Sequence, residues 1–235
     1  MTTTPVSLSE PVAVADDWCH SSVIMSAPHP LFNPDAGQHP LPVDEREIEA
    51  VLRSTLRCYE QHPYFFARYG KRGEAFTRSD GGYLATLADY PQSHVDSQVA
   101  WLARMLVSRG LPRWLMEVHL GLLAEELVVA VPERAASYAK LQHAACVLRE
   151  ERQAQIAQSD FDTLVADFEN AAGAGLEGAG GLLVAAVCDE CCGLREAVPA
   201  LLVWFGDPGR FSLRWCASVA ATLEQARALS IRSQT

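Results

Sequence analysis

Apolar residues recur along this chain at intervals of three and four, the spacing of one helix face. No segment alternates apolar and polar residues over a strand's length between hairpin turns. Asp44 stands where it can cap a helix carrying Ile48, Val51, Leu52, Leu56 and Tyr59 in an amphipathic pattern, and His62-Pro63 interrupts that pattern. Ser79-Asp80-Gly81-Gly82 reads as a turn and cap that opens a short helix ending at Pro91.

A further helix is expected from Ser93, with Val95, Val99, Leu102, Met105 and Leu106 on one face and Gly110 closing it. Pro112 fits the first turn of the next, which runs through Leu115, Val118, Leu122, Leu123 and Leu127 to Val131-Pro132. A long helix then reaches about Ala157, placing Tyr138, Leu141, Ala145, Leu148 and Ile156 inward, and Ser159 or Asp160 caps its successor. Beyond a glycine-dense connection from Ala171 to Gly181 come an apolar helix over Leu182 to Val198, a turn at Gly206-Asp207-Pro208-Gly209, and a last helix from Leu213 to Leu229.

The expected fold is therefore all-α, a multi-helix bundle of about eight or nine helices with an extended N-terminal arm. The pattern divides the chain into a Pro-rich arm (1–43), a main helical bundle (44–158) and a C-terminal helical portion (159–235). Whether the last two share one core is left open. The arm holds Pro28, Pro30, Pro34, Pro40 and Pro42, which exclude regular helix, yet Trp18, Val23, Ile24, Met25, Leu31 and Phe32 suit docking on the domain or on a partner.

Composition narrows the function classes. At 235 residues and 49% hydrophobic, the chain can bury a substantial core. A formal net charge of −10 argues against nucleic acid as a partner. No apolar stretch is long enough to span a bilayer, and the first residues lack the pattern of a secretory signal. Seven cysteines without disulfide spacing read as reduced thiols, so a cytoplasmic protein is expected.

Four sets of residues carry candidate chemistry. Gly173-Ala-Gly175-Leu-Glu-Gly178 matches GxGxxG literally, but it follows a helix where a dinucleotide fold needs a strand, so that role is rejected. Cys188, Cys191 and Cys192 share one helix face and could hold a soft metal with Cys216, although small buried thiols also serve as core. His119 and Glu126, with His143, Cys146 and Glu150, are of types that bind iron or zinc inside helical bundles, but the Glu-x-x-His pair of the di-metal carboxylate proteins is missing.

The fourth set is Arg68, Lys71, Arg72 and Arg78, gathered with glycines in an otherwise acidic chain; a loop of this kind can bind a small acidic ligand or an acidic partner. A GxSxG elbow and a Walker loop are both absent. The favoured expectation is a non-catalytic helical accessory or regulatory protein that binds a protein partner or small acidic ligand, or forms a homo-oligomer. The alternative is a metal- or cofactor-binding bundle acting as an oxidoreductase or sensor.

Overall fold

The computed structural model describes residues 39–233, with side chains up to Ser230. Residues 1–38 of the expected arm, with Cys19, lie outside the described residues. Nine α-helices and no strand occur among the described residues: α1 Glu45–Gln61, α2 Tyr64–Thr86, α3 Gln92–Val107, α4 Arg113–Ala130, α5 Ala135–Gln155, α6 Gln158–Ala172, α7 Ala179–Cys191, α8 Ala197–Phe205 and α9 Leu213–Ser233. Single 3-10 turns, Leu87–Asp89 and Pro132–Arg134, lead into α3 and α5. No described helix is long and apolar enough to cross a membrane.

The expected caps explain several boundaries. Asp44 accepts a hydrogen bond from the Arg46 amide at 2.9 Å and so satisfies one of the free donors of α1. Pro112 directly precedes α4, where a missing N–H leaves no bond unmade.

Three boundaries differ from expectation. α6 starts at Gln158 with Ala157 at its N-cap, so that Ser159 and Asp160 lie inside its first turn rather than capping it. Ser79–Gly82 is not a turn but lies inside α2, and the basic segment from Arg68 to Asp80 is helical rather than a loop. Its backbone leaves helical geometry at Gly70, whose φ of 57° places a kink there. The glycines further along serve close packing: a Cβ on Gly81 would stand 3.1 Å from both Val51 of α1 and His119 of α4. Tight burial between two helices thus overrides the local turn signal. The apolar helix expected over 182–198 also ends early, at Cys191, because Gly193 turns the chain with φ 91° and Leu194 donates its amide back to Asp189.

α4 is the central helix. Its Leu120, Leu123 and Leu127 join Val51, Leu84, Val99, Leu102, Tyr138 and Leu141 in a core built from α1 to α5. Its Leu115 and Leu122 enter a second core with Phe161, Phe168, Leu183, Leu201, Phe205 and Trp215, to which α2 adds Tyr64 and Phe65. A helix buried on opposite faces must be apolar nearly all round, as α4 is.

Ion pairs tie the same helix to its neighbours. Glu126 accepts from Arg53 and Arg57 of α1, each at 2.8 Å. Asp189 of α7 accepts from the Arg113 amide at 2.8 Å and from its Nε at 2.7 Å.

Candidate functional site

The packing of α2, α3 and α4 leaves a cavity of about 120 Å³ beside the C-terminal end of α1. From α2 it is lined by Phe65 and Tyr69 before the Gly70 kink, and after it by Gly73, Phe76, Thr77, Asp80 and Leu84, positions that fall on one helical stripe. α3 adds Ala103 and Leu106, the following turn Arg109 and Leu111, and α4 Leu115, Met116 and His119. Tyr59 closes the α1 side and stacks on Phe65, with ring centroids 4.9 Å apart.

His119 is the unusual member. Its residue is 5% exposed, and neither Nδ1 nor Nε2 has a hydrogen-bond partner. A buried polar group left in that state costs about 1–3 kcal/mol. Burial pushes its pKa down to about 4, so the ring is neutral at physiological pH, with one nitrogen able to donate and the other to accept.

Asp80 faces the same cavity from α2. Burial pushes its carboxyl up to about 6, against the opposing pull of Arg109. Near neutrality it is a mostly ionised carboxylate with little solvent around it. Tyr59, its phenol pushed up to about 12 by burial, stays protonated and lies 3.4 Å from the Thr77 hydroxyl. The other cation on the wall, Arg113, already pairs with Asp189 and Glu151.

No family model, curated protein or solved structure matches this chain. The site therefore has to be read from its own chemistry.

The residues singled out in the sequence are dispersed. Arg68 is engaged within the fold, donating to the Tyr64 hydroxyl and to the Ala200 carbonyl. Lys71 and Arg72 are exposed, the latter with its guanidinium 5.8 Å from the Phe76 ring centroid, and Arg78 pairs with Glu74 one turn away. These four cations do not converge on a common anion position.

Of the metal candidates, His119 lines the cavity while Glu126 is held by two arginines of α1. His143 and Glu150 are exposed on α5, with Cys146 half-buried there. No group of three His, Cys, Asp or Glu that could hold a metal occurs among the described residues. Cys188 is buried, and that burial pushes its thiol up to about 12, far from a thiolate. Cys191 faces the Ser230 hydroxyl at 3.4 Å, Cys192 is exposed, and Cys216 is half-buried.

Asp80, Tyr59, Thr77 and Arg109 were not among the sequence candidates. A signal for them exists: Gly73, Phe76, Thr77, Asp80 and Leu84 follow helical spacing, so a lone carboxylate sits on an otherwise apolar stripe. Reading Ser79–Gly82 as a turn hides that register.

Proposed function

We propose that this chain is a non-catalytic ligand-binding protein whose ligand occupies the cavity between α2, α3 and α4. The observation that carries this reading is the apolar, aromatic-walled cavity that the Asp80 carboxyl faces from α2. Apolar walls with a few convergent polar groups and a perturbed carboxyl are also the general character of small-molecule sites.

Size limits the ligand. A cavity of roughly 150 Å³ accommodates benzene, so about 120 Å³ suits a compact group, as a whole molecule or as the end of a longer one. An accessory or regulatory role follows if occupancy changes how α2 and α4 are held together.

Methyl-labelled methionine gives a direct test. Met116 lines the cavity, whereas Met105 on the neighbouring helix does not. Titration with benzyl alcohol is expected to shift the Met116 methyl resonance saturably and leave that of Met105 in place. An unmoved Met116 across the series, or equal shifts at both methyls, would overturn the reading.

A further inference from the structure

The chemistry around the cavity discriminates among head groups, and the following rests on the cavity being a ligand site. We infer that its ligand is a small organic amine, bound as the ammonium with its charge against Asp80 and its apolar body among the aromatic side chains.

Three classes of ligand can be weighed against the wall. An anion would place a second negative charge beside the Asp80 carboxylate. The cations on this wall compensate poorly, since Arg113 is committed to Asp189 and Glu151 and Arg109 is exposed to solvent that screens it. A neutral alcohol or amide leaves the partly desolvated carboxylate without a counter-charge.

An ammonium group answers that need. It supplies positive charge to Asp80, and its several N–H donors can bond to that carboxylate. The raised pKa of Asp80, caused by its burial, agrees with a carboxylate that an adjacent cation would stabilise.

The remaining wall fits the same class. Tyr59, Phe65, Tyr69 and Phe76 bring four aromatic side chains to one small space. Aromatic faces attract cations, and clusters of them recognise alkylammonium groups. The apolar residues Leu84, Leu106, Leu115 and Met116 then enclose the body of the ligand. Arg109 is an unfavourable charge on the wall, placed where solvent reaches it.

Benzylamine, benzyl alcohol and benzoate share a ring and differ in head-group charge, so their binding can be compared by the same Met116 titration at pH 7.5. Benzylamine is expected to bind at least about tenfold more tightly than benzyl alcohol, and benzoate to bind more weakly than either. Asp80→Asn should abolish the preference for the amine, with its fold checked by circular dichroism.

Equal affinity of amine and alcohol, tighter binding of benzoate, or a preference that survives in Asp80→Asn would overturn the amine assignment while leaving the cavity as a ligand site. Failure of all three probes to reach Met116 would overturn both. Should Asp80→Asn not fold, Arg109→Gln supplies the independent measurement. Removing that cation should strengthen benzylamine binding, and unchanged or weaker binding would count against the assignment.

Discussion

Arg152 of α5 forks onto Glu117 of α4, its Nε and Nη2 donating to the two carboxylate oxygens at 3.0 and 3.2 Å. Both residues are nearly inaccessible, and Arg149 adds a third donor at 2.9 Å. Such a pair is fully hydrogen-bonded, but each charge depends on the other for its solvation.

Removing one partner should therefore be far more damaging than removing both. Glu117→Leu or Arg152→Leu alone is expected to lower stability by about 3–5 kcal/mol. The double substitution should recover a large part of that loss. Urea unfolding of the four proteins gives the comparison, and additive losses would show that the pair is not coupled.

The acid response of the cavity has two opposing parts. His119 has a folded pKa depressed from 6.5 to about 4, so as pH falls below 6.5 the unfolded chain takes up a proton that the folded chain refuses. Its contribution to stability is therefore lost between pH 6.5 and 4. Asp80 has a folded pKa raised from 3.8 to about 6, so the folded chain is protonated first and stability rises as pH falls from 6 towards 3.8. Each effect is of order 3 kcal/mol at full extent, and the two nearly cancel. Relative to the parent, Asp80→Asn should lose stability more steeply between pH 6 and 4, and His119→Asn less steeply. Denaturation midpoints that stay parallel to the parent across this range would contradict both shifts.

The basic residues of α2 should separate into structural and peripheral members. Arg68→Ala removes bonds to the Tyr64 hydroxyl and the Ala200 carbonyl, and is expected to lower stability by about 2 kcal/mol. Arg72→Ala, at an exposed position, should stay within about 0.5 kcal/mol of the parent. Thermal unfolding of the two variants distinguishes them, and similar losses would refute the division.

The glycine string between α6 and α7 gives a sharper contrast. A Cβ on Gly175 would run into the Trp215 ring, which is buried against Phe211 and Phe168, so Gly175→Ala should lower stability by roughly 2–3 kcal/mol. Gly178 has open space around it but a φ of 76°, so Gly178→Ala should lose only about 1–2 kcal/mol of backbone energy. The reverse order in chemical denaturation would rule out this account.

That string also shows how far the sequence reading reached. Rejecting a dinucleotide role needed only the absence of strands, but the reason for the glycines lay in Trp215, about forty residues away, which no local pattern reveals. Amphipathic stripes and caps made most helices legible, and α1 begins where Asp44 predicts. They failed at Ser79–Gly82, where glycine signals a turn locally but permits close helix contact in the folded chain. The cavity was hidden for the same reason, since Asp80 joins Phe76 and Leu84 on one face only if α2 is continuous there. His119 was noticed for its metal-binding chemistry, whereas its lack of partners is a property of packing.

The turn between α3 and α4 forms one wall of the cavity through Arg109 and Leu111. Two phenols of α2 anchor it: Tyr64 donates to the Gly110 carbonyl at 2.6 Å, and Tyr69 donates to that of Arg109. Widening the cavity on that side breaks at least one of these bonds. A bound molecule would then leave no faster than the anchored turn opens, so dwell time would be governed by two tyrosines, of which Tyr64 does not line the cavity.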